Sequence, residues 1–146
     1  MQLPNQPREF SLWIDGQAAA SSEANWIERE SPGHAVPVTR VPAGTAVDVD
    51  RAVAAAKAAF EQGPWPRTAS SGRATILADI AKRIRAVEDE LAYWETLESG
   101  KPLSQARAEV EWTAGLWEYA SALSRHLYGD SCNTLGEGTL GMTLRD

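Results

Sequence analysis

Between Thr45 and Tyr128, apolar residues return every three or four positions, and Gly or Pro cuts the run after Gln62, Ser99 and Tyr128. This spacing is that of helices with one apolar stripe, and it leaves little room for any other reading of the chain's longest stretch. Thr45 followed three residues later by Asp48 is a capping-box signature, so a first helix should start there. Its stripe is Val49, Val53, Ala56 and Phe60, and Gly63-Pro64-Trp65-Pro66 ends it. A second helix is expected from about Ser70 to Ala86, with Leu77, Ile80, Ala81 and Ile84 inward and Lys82, Arg83 and Arg85 mostly outward. A third should begin near Glu88, where Glu88, Asp89 and Glu90 favour the positive helix pole. It should end at Gly100, with Pro102 preventing continuation. A fourth is expected from about Leu103 to Tyr128, with Ala106, Val110, Thr113, Leu116, Trp117, Ala120, Leu123 and Leu127 inward and Gly129 as its stop.

The ends of the chain read differently. Residues 1–11 form a polar lead-in with two prolines. Leu12-Trp13-Ile14 and Gln17-Ala18-Ala19-Ala20 flank Asp15-Gly16, the residue pair that a type I′ hairpin turn favours. Trp26 to Glu30 is a short strand candidate, followed by a turn at Ser31-Pro32-Gly33-His34. Val36, Val38 and Val41 suggest another strand, in which Pro37 argues for an edge position. From Asp130 onward strand chemistry returns, with Gly136-Glu137-Gly138 as a hairpin turn and Met142-Thr143-Leu144 alternating apolar and polar.

Composition narrows the functional classes. The 146 residues carry a formal charge of −6, which argues against a general binder of nucleic-acid backbones. No apolar run approaches the ~20 residues of a membrane-spanning helix, and the first ten residues lack a secretory apolar stretch. The single cysteine, Cys132, has no partner for an internal disulfide, which fits a reducing, cytoplasmic setting.

Chemistry-bearing motifs are few. Gly136-Glu137-Gly138-Thr139-Leu140-Gly141 matches the letters of a dinucleotide fingerprint, but a strand candidate follows where a helix is needed, so the segment reads as a hairpin turn. Cys132 with His34 or His126 would be the only cysteine–histidine pairing available to a small hydrolase, and no spacing supports it. One cysteine and two histidines fall short of a zinc site. Glu95, Glu98 and Lys101 cluster at a helix end, either as a solvated terminus or with Glu98 helping to hold a hard cation. Trp94, Trp112 and Trp117 read as core or interface anchors.

In order and spacing, these segments resemble the N-terminal part of the NAD(P)-dependent aldehyde dehydrogenase superfamily. The residues carrying the resemblance are Leu12-Trp13-Ile14-Asp15-Gly16, Glu30-Ser31-Pro32, Val41-Pro42-Ala43-Gly44-Thr45 and Asp48 to Ala56. They continue through Ala59-Phe60, Gly63-Pro64-Trp65-Pro66, Glu90-Leu91-Ala92, Glu95-Thr96-Leu97-Glu98-Ser99-Gly100-Lys101-Pro102 and Thr143-Leu144-Arg145-Asp146. The resemblance implies an α/β fold of short β-hairpins and about four helices flanking a cofactor-binding sheet. Residues 12–129 would be the N-terminal part of the cofactor-binding domain, and 130–146 the start of an oligomerisation hairpin. It implies a homo-oligomeric parent that uses NAD or NADP to oxidise a small aldehyde, with no nucleic acid or membrane as partner.

The family's catalytic Cys, general-base Glu and Gly-rich cofactor segments lie further along, so the resemblance assigns no catalytic or cofactor-binding residue here. It implies an N-terminal fragment, inactive alone, whose helix stripes lack their sheet and which should therefore self-associate. In some members a structural monovalent cation is held by an acid just before Gly-Lys-Pro and by backbone carbonyls. By position these are Glu98 and the carbonyls of Arg29 and Glu30, with Glu98 standing where the family usually has Asp. A self-sufficient helical binding module without catalysis is the alternative reading.

Overall fold

The computed structural model describes residues 3–132 and 136–143. Two short strands begin the chain: β1 (Arg8–Glu9), then β2 (Leu12–Ile14), which pairs antiparallel with β3 (Gln17–Ala19). Asp15 and Gly16 join β2 to β3 with φ of 54° and 73°, both in the left-handed region that a type I′ turn requires. Next come β4 (Trp26–Ser31) and β5 (Val36–Pro42), paired antiparallel. Ala35, not Gly33, supplies the positive φ of the turn between them.

Two strand expectations change. β1 pairs in parallel with β5, Arg8 opposite Thr39 and Glu9 opposite Arg40, so part of the 1–11 lead-in is built into a sheet of order β1-β5-β4. β5 is therefore the central strand and not an edge. Pro37 is tolerated because β1 reaches only Thr39 and Arg40, which leaves the β1-side flank of β5 unpaired at Pro37. On the other flank, Pro37 lies opposite Glu30, beside a break in register between Arg29 and Glu30.

Four helices follow: α1 (Ala46–Gln62), α2 (Ser70–Ala86), α3 (Glu88–Ser99) and α4 (Leu103–Ser124). The capping box at Thr45 and Asp48 is formed in both directions. Asp48 is buried and also accepts from the Ser21 hydroxyl at 2.7 Å and the Ser22 amide at 3.0 Å, tying the post-hairpin loop to α1. The Thr45 amide, then the Ser21 hydroxyl, hold this carboxyl well below the usual carboxylate range. The Val49, Val53 and Phe60 stripe of α1 remains exposed.

α2, α3 and α4 share the main core. α2 packs most extensively on α4, with α3 beside them. The buried side chains are small: Ala74 and Ala81 on α2, Ala92 on α3, and Ala106 and Ala114 on α4, joined by Leu97 and Val110. Helix axes can approach closely when contact residues are this short. The inward stripe of α4 runs through Ala106, Val110, Ala114 and Ser124, with Trp117 half-buried. The expected stripe is thus corrected: Thr113, Leu116, Leu123 and Leu127 are exposed. α4 also stops at Ser124, ahead of Gly129. Arg85, expected outward, instead bridges α2 to α4 by pairing with Glu111 at 2.8 Å and Glu118 at 2.5 Å.

The last described elements are β6 (Ser131–Cys132) and β7 (Gly141–Met142), paired antiparallel. Leu144, Arg145 and Asp146, read as strand and family tail, lie outside the described residues. No helix among the described residues is long and apolar enough to cross a membrane.

Candidate functional site

The segment richest in candidate residues is the end of α3. Gly100 adopts φ 78°, the left-handed conformation that stops a helix, and its amide bonds to the Thr96 carbonyl. Pro102 then caps α4, so three residues turn the chain from one helix to the next. Lys101 clamps this turn. Its ammonium lies 2.5 Å from Glu109 on α4 and 2.6 Å from Glu95 on α3. Glu109 and then Glu95 raise its pKa. Of the three clustered residues, Glu95 and Lys101 therefore form a structural clamp.

Glu98 faces another way. Its Oε1 accepts a 2.5 Å hydrogen bond from the hydroxyl of Thr39, a buried residue of β5. Thr39 lies directly opposite Arg29 on β4, and the register break falls between Arg29 and Glu30. Glu98 is thus fastened to the strand position across from Arg29. Close by, buried Ser31 hydrogen-bonds Nδ1 of His34 at 3.0 Å, bracing the β4–β5 turn. The oxygens gathered here, a carboxylate and a hydroxyl beside a bulged strand, are hard donors of the kind that alkali and alkaline-earth cations select. Among the described residues no three His, Cys, Asp or Glu side chains group to hold a metal, so any cation would depend on backbone oxygens.

Thr39 had no signal in the sequence. It stands 59 positions from Glu98, and only the packing of α3 on the sheet joins them.

The remaining candidates separate. His34 is in the β4–β5 turn, His126 lies edge-on to Tyr128 just after α4, and Cys132 is in β6. Gly136 and Gly138 take φ of 141° and 75°, and β7 begins at Gly141. The fingerprint-like letters therefore lie in a hairpin, not at the strand-to-helix turn that a dinucleotide fingerprint requires. Trp94 packs edge-on to Tyr93 with the Arg8 guanidinium over its ring, whereas Trp112 is exposed. A cleft of about 460 Å³ opens between the first hairpin and β4, lined by Ser21, Ser22, Asn25 and Trp26 among others.

Comparison with known proteins gives one consistent answer. The model of the Aldehyde dehydrogenase family matches residues 18–146. The NADP/NAD-dependent aldehyde dehydrogenase PuuC of Escherichia coli is 32% identical over 140 residues, which are 94% of this chain and 28% of that protein. The crystal structure of an NAD-dependent aldehyde dehydrogenase from Sinorhizobium meliloti superposes with a TM-score of 0.88 at 39% identity, covering 94% of this chain and 28% of that one. A point mutant of Staphylococcus aureus betaine aldehyde dehydrogenase, solved in complex with NAD+, superposes with a TM-score of 0.81 at 28% identity over 87% of this chain and 26% of its own. The chain thus spans little more than a quarter of the length of these relatives.

Proposed function

Because the chain belongs to the aldehyde dehydrogenase family, we propose that it forms the N-terminal, non-catalytic scaffold of an NAD(P)-dependent aldehyde dehydrogenase subunit. In the whole enzyme a cysteine thiolate adds to the aldehyde carbon. A hydride then leaves that carbon, and water activated by a carboxylate releases the acid from the thioester. NAD or NADP, when bound, accepts the hydride. Neither the nucleophile nor the base is assigned to this chain, and its hairpin glycines do not fit a pyrophosphate. Its residues therefore take no part in these bond changes.

The chain's part is mechanical. The α2–α3–α4 layer supports the cofactor-binding sheet, and β6 and β7 begin a hairpin for subunit contact in a homo-oligomer. The cytoplasm is its compartment. The observation that carries the reading is the superposition on the Sinorhizobium meliloti enzyme over 94% of this chain.

The second part of the proposal is a structural monovalent cation held by Glu98 and the carbonyls of Arg29 and Glu30. The Thr39–Glu98 bond opposite Arg29 supports it.

A graft tests the scaffold. Residues 18–146 would replace the matching segment of the Sinorhizobium meliloti enzyme. Retained aldehyde oxidation, followed at the nicotinamide absorbance band, is the expected result. A soluble, folded chimera without activity would overturn it. The isolated chain given NAD or NADP and several aldehydes should show no absorbance rise. A rise abolished by Cys132→Ala would refute the non-catalytic role.

A further inference from the structure

Glu90, Trp94 and Glu98 stand four residues apart on α3 and so line one stripe of the helix. The sheet grips this stripe at both ends. Near the helix start, Arg8 of β1 pairs with Glu90 at 2.6 Å. Its guanidinium carbon lies 5.2 Å from the Trp94 ring centre and 5.1 Å from that of Phe10. Near the helix end, the Thr39 hydroxyl of β5 donates to Glu98 at 2.5 Å. Arg8 and Thr39 are themselves directly opposite in the parallel β1–β5 pair. Residues paired in this way project from one face of a sheet, and here it is the face that meets α3. The next pair, Glu9 and Arg40, projects from the other face, where Arg40 binds Glu9 and stacks on Trp26.

We propose that residues 8–10 form a strap that fixes the rotation and axial position of α3 on the sheet, and that Arg8 is thereby a positioning residue for Glu98. A helix held at one point can roll about its axis and slide along it. Two grips eight residues apart, about 12 Å along the helix, resist both motions. β1 has only two residues, followed by one bond from the Phe10 amide to the Arg40 carbonyl at 3.0 Å. So short a strand holds weakly through its backbone. An exposed ion pair by itself adds little. Arg8 supplies more than a charge, because its planar guanidinium lies over two aromatic rings while it donates to Glu90.

The strap and the Thr39–Glu98 bond restrain the same rigid helix. Coupling through a shared element is reciprocal, so the loss of either grip loosens the other. Neither the cation nor the graft enters this clamp. The graft begins at residue 18, after β1, and the clamp is measured in choline salt.

Amide hydrogen exchange resolved to single residues, on the full 146-residue chain in choline chloride, tests the strap. The Phe10 amide reports β1, and the Gly100 amide, bonded to the Thr96 carbonyl at 2.9 Å, reports the last turn of α3. Arg8→Ala should abolish protection of Phe10 and speed exchange at Gly100 severalfold. Thr39→Val should speed exchange at Phe10 severalfold, although valine suits a strand as well as threonine does. Thr39→Ser keeps the hydroxyl and should leave Phe10 close to its unsubstituted rate. Glu90→Gln removes the ion pair but leaves the stacked rings. It should move both amides in the same direction by less, and it gives the reading if Arg8→Ala fails to fold.

Unchanged exchange at Gly100 in Arg8→Ala, or in Glu90→Gln where that variant gives the reading, would overturn the proposal, because β1 would then act only locally. So would a Phe10 amide that is unprotected in the unsubstituted chain, or one that exchanges at the same rate in Thr39→Val and Thr39→Ser.

Discussion

The Ser21 hydroxyl donates to the Asp48 carboxylate across 2.7 Å, joining a loop to a helix start 27 positions away. Asp48 also closes the capping box with Thr45, so one buried carboxylate holds both the α1 terminus and the post-hairpin loop. Its pKa is depressed, so its stabilising contribution is complete above the unfolded value, about 3.9. That contribution is lost as pH falls through the folded value. Asp48→Asn should lower Tm by several degrees at pH 7. The gap from the parent chain should narrow below about pH 4, as followed by thermal melts across pH.

The alanine-lined core predicts opposite sensitivities. Leu97 is the largest fully buried side chain, and Leu97→Ala should cost about 2–5 kcal/mol. Ala106 is enclosed with Ala92 and Val110, and Ala106→Leu should cost about 1–3 kcal/mol by overpacking. Urea unfolding of both variants measures each.

Gly100 is required by conformation more than by space. Its φ is 78°, and an added Cβ would sit 3.4 Å from the Pro32 Cβ. Gly100→Ala should destabilise by about 1–2 kcal/mol, whereas Gly115→Ala in mid-α4 should not destabilise the monomer. Paired denaturation curves of the two variants decide this.

Arg85 is held by two carboxylates on the neighbouring helix, Glu118 and then Glu111, which raise its pKa while it lowers theirs. A lysine cannot reproduce the forked donors. Arg85→Lys should reduce Tm at low ionic strength, with a smaller loss in about 1 M salt. Equal losses in both salts would remove the electrostatic account.

If Glu98 holds a monovalent cation, potassium or sodium should raise the Tm of the grafted enzyme above that in choline at equal ionic strength. Glu98→Gln should abolish the difference. Identical melting in all three salts of the unsubstituted protein would remove the case for the site.

Much of the local structure was legible. Asp15-Gly16, Thr45 with Asp48 and Gly100 each name a backbone conformation or a cap that the residue types select within a few positions. The end of α3 follows from such a signal, whereas α2 starts without a side-chain cap and is marked by its apolar stripe and its basic last turn. The candidate site was legible only in part. Glu98 was marked by its place before Gly100, but its partner Thr39 was not, because nothing local relates a strand threonine to a glutamate 59 positions on. Helix periodicity places Arg85 outward, because it cannot show that Glu111 and Glu118 stand within reach on another helix.

By itself the sequence determined which stretches become helix, where each starts, where α1, α2 and α3 stop, and which turn joins β2 to β3. These depend on backbone dihedrals and hydrogen bonds closed within about one helical turn or one hairpin. Tertiary structure alone decided that β1 joins the sheet, that Pro37 sits in a central strand, and which side of α4 is core. α4 carries apolar residues on both sides, so periodicity offers two stripes of similar merit. The choice falls to Ala106, Val110 and Ala114, because short side chains let α2 and α3 approach closely, while Trp112 and Tyr119 would hold them apart.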